Sequence, residues 1–544
     1  MKKFRNLSLL LLVLVAVFVL AACGRTDDEN GDTADTGQVA APGGDVVTQP
    51  PVDPGTGERV PVDGGDLVVA IMTMPVSMML DRNDSASSLL ANQIYDTLVW
   101  LSYDETNSDL TPVPSLATSW DVIDAQTFRF TLREGVTFHN GAPLTSYDVQ
   151  FSLERAALDP EASVVSNMID HVEVHDDLNF TIHLNIPFIP FISNLGHTIM
   201  GIMHRDSYLA DPDTPVGTGP FQFDSLSIGE YVRLTRFEDH WGTLAHVDSL
   251  TFRAIGEGSI RVIEAQGGQV HVGMDIQPAD IRAAEASVGA TVFRRDNLSM
   301  NYIGFNMQEG SPFYNPLVRR AVNYAVDVEA IIEAVFEGLG RPLQGVPLSD
   351  VNRDFTPGLV APINFNINRA RELMEEAGYA DGFSANLWYN AGNMARAAMA
   401  EIVGNQLGQI NIDVTIDALE WEFYLDRTGN FEHDMFFLGW VSVVGDLDYA
   451  LHPLFHSSNI GPAGNRFPIN SPVLDQLLDD ARVETDPAAR LAMYQEAMIL
   501  LDYYLPMVLL NQGEFAVLVN DAVGGFVVNP AGHHSFARVY FYSN

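Results

Sequence analysis

One cysteine, Cys23, occurs in 544 residues, which excludes an internal disulfide framework, a multi-cysteine zinc cluster and an iron–sulfur site. Lysine is almost as scarce. Only Lys2 and Lys3 occur, so nowhere does a Gly-rich turn run into the Gly-Lys-Ser/Thr of a phosphate loop. Positive charge as a whole is short: 29 Lys+Arg stand against 71 Asp+Glu, a formal net charge of −42. A surface that acidic repels phosphate backbones and anionic headgroups, which excludes nucleic acid as a partner. Beyond the first 22 residues no apolar run approaches the length of a membrane-spanning helix. What the chain does have is apolar mass. Hydrophobic residues are 47% and charged residues 18%, which excludes wholesale disorder and a coiled-coil rod. At about 150 residues per domain the length implies two to four domains.

The start of the chain is its most legible part. Lys2, Lys3 and Arg5 precede an unbroken apolar run from Leu9 to Ala22, which closes in small residues just before the cysteine: Leu20, Ala21, Ala22, Cys23. This resembles a bacterial lipobox. The resemblance implies that residues 1–22 are a cleaved signal peptide and that Cys23, lipidated on sulfur, anchors the protein outside the cytoplasm, at the cell surface or in a periplasm. Removing residues 1–22 leaves 26 basic against 71 acidic residues, or −45, and every remaining base is arginine. Residues 24–65 contain nine Gly, five Pro, seven Asp, two Glu and no aromatic. Such a composition cannot bury enough apolar area to offset its ordering entropy, so 23–65 reads as a disordered tether.

From Asp66 the texture changes. Leu67-Val68-Val69-Ala70-Ile71 reads as a buried strand, and Phe128–Leu132 and Phe180–Leu184 alternate like half-buried strands. Thr145 with Asp148 forms a capping box that opens a helix through Phe151, Leu153 and Ala157. Asn315-Pro316 opens a second, with apolar residues at helical spacing from Val318 to Phe336 and a stop at Gly338 and Gly340. Asp486-Pro487 opens a third, running to Pro506. There is no repeat of 20–50 residues. The class is α/β or α+β with several sheets.

Reactive chemistry is mostly missing. Val216–Phe221 is Gly-rich, but Pro220 removes an amide that a phosphate would need, so the segment reads as a backbone turn. No Gly-x-Ser-x-Gly elbow occurs. Among fourteen histidines, His452 and His456 are four apart, but Pro453 is expected to break the helix that would bring them onto one face. His533 and His534 are adjacent and do not converge. No metal and no cofactor is expected, and these absences favour a binding protein over an enzyme.

Residues 114–149 carry a recognisable signature: Pro114-Ser115-Leu116-Ala117-Thr118-Ser119-Trp120, then Thr127–Leu132 leading to Gly135-Val136-Thr137-Phe138-His139-Asn140-Gly141, then Leu144-Thr145-Ser146-Tyr147-Asp148-Val149. Tyr95–Leu98, Pro215–Phe221, His240-Trp241-Gly242, Asn306, Pro312-Phe313, Val318–Ala321, Ala377-Gly378-Tyr379, Trp421 and Gly439-Trp440 follow the same pattern. Over about residues 66–544 the chain resembles the family 5 extracellular solute-binding proteins of ABC importers, the dipeptide-, oligopeptide- and nickel-binding group.

The resemblance implies an α/β, two-lobe periplasmic-binding-protein fold of type 2, in the large form with an extra inserted domain. The first lobe would take 66–95, 201–297 and 511–544, the inserted domain 96–200, and the second lobe 298–510. It further implies a monomer that captures a small solute, peptide by family default, between its lobes and delivers it to an ABC permease and its ATPase subunits, with membrane contact through the lipid only. Family contact positions fall on Asn83 to Ser85, on Met274 and Asp275, and on Trp421, Gly439 and Trp440. The departures are informative. The aspartate that peptide binders carry three residues after the tryptophan, where it holds the peptide ammonium, is Val443 here, and an arginine found three before it is Phe437. Either Asp446, Asp448 or Asp275 takes the ammonium, or the solute has none there and Phe437, Val443 and the tryptophans form an apolar wall. The second reading is favoured, and with it poor affinity for unmodified di- and tripeptides. A metal chelate, a sugar or an opine-like compound is the alternative solute, and a peptide-binding chaperone or signalling receptor the alternative role.

Overall fold

The computed structural model describes residues 59–544 apart from Asn83, 105–108, Pro160, Ser287, Leu339, Ala463 and Asn544. The expected signal peptide, Cys23 and most of the expected tether, like Asn83, lie outside the described residues. The end of the tether is ordered, contrary to expectation. Pro61–Val62 pairs antiparallel with Phe541–Tyr542, and Gly65 donates its amide to Asp248 Oδ2 at 2.9 Å. Backbone hydrogen bonds make this edge strand, so the missing apolar side chains do not prevent it.

The strand Asp66–Ile71 lies between two parallel neighbours, Ser249–Ala254 and Val272–Gly273, in a mixed sheet of eleven strands among the described residues. Leu67, Val69 and Ala70 have no exposed surface. Two long strands carry the sheet onward. Ala290–Phe305 and Met507–Asn520 run antiparallel, with register breaks between Asp296 and Met300 and between Met300 and Tyr302. On one side of the breaks, Thr291 pairs with Val519 and Val519 with Val272. On the other, Met300 pairs with Trp440 of the strand Met435–Val441, which lies beside Phe383–Asn390 and, beyond that, Ile412–Leu419. The chain therefore crosses twice between two halves of one sheet, at the place where the ladder is interrupted.

Strand direction follows from this register. Asp66–Ile71, Ser249–Ala254 and Val272–Gly273 all run toward the crossing with their carboxyl ends. Phe383–Asn390, Ile412–Leu419 and Met435–Val441 run toward it from the other half. Carboxyl edges of parallel strands are where open α/β sheets hold ligands, and here two such edges meet at the crossing.

A separate four-stranded antiparallel sheet holds Ala117–Asp124, Thr127–Leu132, Asn179–Leu184 and Ile169–Val174, in that order. Phe128, Phe130 and Phe180 are fully buried, and Phe130 stacks on Phe180 with centroids 5.4 Å apart. Each such ring contributes roughly 1.5–3 kcal/mol by burial. The helix Ser146–Leu158 packs over this sheet and starts at the expected capping box. The same core includes Leu298 at the crossing and Val444 and Tyr449 from beyond Met435–Val441.

The turn at Val216–Phe221 has the structural part read from the sequence. A Cβ on Gly217 would stand 2.0 Å from the Ile94 carbonyl oxygen, so only glycine lets the two backbones meet. The long helix expected from Asn315 is instead two, Pro316–Ala325 and Val328–Phe336. Asp327 caps the second by accepting from the Ala330 amide, so the apolar period continues through a break in the backbone. The helix Pro487–Tyr504 is as expected. Among the described residues no helix is long and apolar enough to cross a membrane.

Candidate functional site

On the first carboxyl edge, the loop after Ile71 reads Met72-Thr73-Met74-Pro75-Val76-Ser77-Met78-Met79. Met72 and Val76 are exposed, whereas Met74 and Met78 rest on the core beneath together with buried Met274. Methionine is unbranched and polarisable, so four of them in eight positions make an adaptable apolar wall. Asn83, expected to touch the solute, lies outside the described residues. Ser85 opens the helix Ser85–Ile94 and is exposed. Met274 is 4% exposed and forms the floor of the wall.

Asp275 follows it in a left-handed conformation, φ 54°. The fully buried Arg261 fixes this edge. Its guanidinium donates to the carbonyls of Ile255, Gly256 and Asp275, at 2.5, 3.1 and 2.7 Å. The Asp275 side chain reaches solvent, yet the surrounding protein pushes its carboxyl above the usual range, with Arg261 pulling the other way.

On the second carboxyl edge, Trp421 begins the helix Trp421–Gly429 and is 49% exposed, stacked on Tyr424 at 5.9 Å. Trp440 is half-buried, 5.6 Å from the Tyr449 ring, and donates Nε1–H to the Tyr449 carbonyl at 2.9 Å. Both tryptophans keep ring surface free at this edge. Val443 is half-buried against the core of the four-stranded sheet, and its carbonyl lies 3.1 Å from His533 Nε2. A carbonyl can only accept, so Nε2 of His533 carries the proton.

Three expectations are corrected. Phe437 does not wall the site. On the strand Met435–Val441 it points to the opposite face from Phe436 and Leu438, is 1% exposed, and belongs to a core with Leu387 and Val403. Asp446 cannot take a solute ammonium, because Arg490 holds it at 2.6 and 3.0 Å. Asp448 is equally committed, to Arg482 at 2.7 and 3.1 Å. Burial works to raise the Asp446 carboxyl, but Arg490 outweighs it and holds the group below the usual range.

The residue the sequence reading missed is Arg396. It lies in the first turn of the helix Met394–Gly408, just past Asn390, and donates Nη1–H to Asn390 Oδ1 at 2.6 Å. No carboxylate among the described residues pairs with it, although acidic groups outnumber basic ones more than two to one. Burial draws its pKa down, while the nearby Tyr424 and Tyr302 hydroxyls oppose the shift; a guanidinium still keeps its charge. Gly439 makes the room. A Cβ there would stand 3.0 Å from the Met300 carbonyl oxygen and 3.5 Å from Arg396 Nη2. The signal was present: Gly392, Asn393, Met399 and Ala400 occupy i±4 and i±3, and none is acidic.

The second edge thus offers a half-buried guanidinium with no carboxylate partner among the described residues, and two tryptophans with free ring surface; the first edge offers an apolar methionine wall and the Asp275 carboxylate. Residues 111–462 match the model of the bacterial extracellular solute-binding proteins, family 5. The chain belongs to that family. It is 29% identical to the glutathione-binding protein of Pectobacterium atrosepticum over 87% of this chain and 93% of that one. It is 27% identical to heme-binding protein A of Haemophilus influenzae, over 97% and 98%. Among solved structures, the ABC transporter-associated periplasmic binding protein of Helicobacter pylori in complex with peptide STSA superposes with TM-score 0.76 at 28% identity, covering 89% of this chain and 99% of that one. This family 5 member is therefore an extracellular substrate-binding protein of the ABC-transporter type with the type 2 periplasmic-binding fold, and its relatives are solute-binding proteins rather than enzymes.

Proposed function

We propose that this family 5 protein captures a small solute bearing a carboxylate, peptide-like by family default, with the carboxylate on Arg396 and an apolar portion against the Met72–Met79 loop. The observation that carries the reading is the unpaired guanidinium. A half-buried cation that no carboxylate among the described residues neutralises is stabilised when a ligand brings one, and charge-assisted pairs of this kind are about twice as strong as neutral hydrogen bonds. Trp421 and Trp440 flank the solute, and Asp275 is the one predicted anion left for a positive group, since Asp446 and Asp448 have arginine partners. The lobes divide as read from the sequence, with the two crossing strands as hinge, and closure buries the solute.

Relatives named for glutathione and for dipeptides fit a carboxylate-bearing solute. Loss of the usual aspartate at Val443 points away from unmodified di- and tripeptides. Calorimetry with dipeptides, N-acetylated dipeptides and their C-terminal amides tests this. Acids are expected to bind better than amides, and acetylation to cost little. Equal affinity of acid and amide would sink the Arg396 assignment.

On this reading the protein is held outside the cytoplasm, at the cell surface or in a periplasm, by lipid on Cys23. Two or three acyl chains, at roughly 0.8 kcal/mol per buried CH₂, give stable attachment. Wild type is expected to partition into detergent and Cys23→Ala to remain aqueous or uncleaved; identical partitioning would rule the anchor out.

A further inference from the structure

Pro453 does not break the helix that precedes it. Leu447–Phe455 is helical through the proline. The missing Pro453 amide leaves the Tyr449 carbonyl without its helical donor, and the Trp440 indole N–H fills that place at 2.9 Å. His452 and His456 therefore come onto one face, contrary to expectation, with rings 4.4 Å apart and 12° from parallel. The facing helix Pro472–Val483 brings Asp479 Oδ1 to 3.9 Å from His452 Nε2 and 3.4 Å from His456 Nε2; Asp475 Oδ1 is 3.8 Å from the latter.

These separations are informative. They are too long for N–H···O hydrogen bonds, which centre on about 2.9 Å. Two ligand atoms each about 2.0–2.1 Å from one tetrahedral ion stand roughly 3.4 Å apart. His456 Nε2 is buried and has no hydrogen-bond partner, an orphaned polar atom aimed at the carboxylates. We propose that His452, His456 and Asp479 bind a divalent transition-metal ion, of which Zn²⁺ is the type, with Asp475 beside them, at a site apart from the cleft residues described above.

Charge and outer contacts suit this. Two carboxylates balance a divalent ion. With metal on Nε2, His456 carries its proton on Nδ1, gives up the 3.1 Å bond that Nδ1 accepts from the Ser458 amide, and donates instead to Ser458 Oγ, 2.7 Å away. The same shift in His452 gives up the 3.2 Å contact between Nδ1 and the Asn459 amide, while that amide keeps its 2.9 Å bond to the His452 carbonyl. Asp475 is already oriented, accepting from the Ser457 amide at 2.9 Å and its hydroxyl at 2.6 Å. A bound ion would staple the helix that follows the Val443–Asp446 loop to its neighbour.

The test is a Zn²⁺ titration of the untagged full chain in excess Mg²⁺, which occupies the general acidic surface, with Co²⁺ as spectroscopic probe. One ion per chain is expected at micromolar affinity or tighter, with a visible Co²⁺ spectrum of low coordination number. His456→Gln and Asp479→Asn should each weaken Zn²⁺ at least tenfold. Asp479 is largely exposed, so its variant folds whatever His456→Gln does. Absence of stoichiometric Zn²⁺ binding, or wild-type affinity in Asp479→Asn, would overturn the proposal.

Discussion

Arg396 and Asp446 show how the same charges do different work according to their partners. Asp446 has its cation within the fold, and removing one half of such a buried pair costs about 3–5 kcal/mol. Arg490→Ala should therefore lower the unfolding midpoint sharply. The pH dependence has a definite sign. A carboxyl depressed in the folded state contributes stability that is present above the unfolded value of about 3.9 and is lost as pH falls through the lower folded value. The penalty for Asp446→Asn should thus be full at pH 7 and shrink below pH 4 in thermal melts; an equal penalty at pH 3 and pH 7 would contradict it. Arg396 lacks an internal partner, so Arg396→Gln should leave the melting temperature within a few degrees. It should weaken a carboxylate solute by about 2–5 kcal/mol, read by calorimetry.

At the scale of elements, the strands and helices with local signals were legible and the long-range partnerships were not. The capping box at Thr145, the Pro487 helix and the strand at Asp66 all announce themselves within a few residues. The break at Asp327 did not, because apolar spacing continues across it; nor did the intact helix at Pro453, because the donor that repairs it, Trp440, comes from another strand. The same reason hid Phe437 and Asp446. Their positions in a motif were visible, but not the face of the strand or the arginine 44 residues away. Trp440→Phe removes that donor while keeping the ring. It should cost about 1–3 kcal/mol through the unsatisfied Tyr449 carbonyl, measured by denaturant unfolding; no loss would show that water replaces the indole.

At the scale of the whole molecule, two carboxyl edges on either side of a twice-crossed sheet make capture by closure the natural motion. A solute that touches both halves only when they are closed must shift that equilibrium, so small-angle scattering should show a smaller radius of gyration when solute is added. The acidic surface has its own consequence: neutral solutes should bind with little salt dependence, whereas cationic ones should weaken as salt rises. The family, and with it the two-lobe fold, could be read from ordered motifs; the identity of the solute could not, because it depends on which charges the fold leaves unpaired. The most direct measurement is to purify the protein from its native host and identify the solute it releases by mass spectrometry. A compound with at least one carboxylate and an apolar portion is the predicted result; a solute without any anionic group would contradict the account.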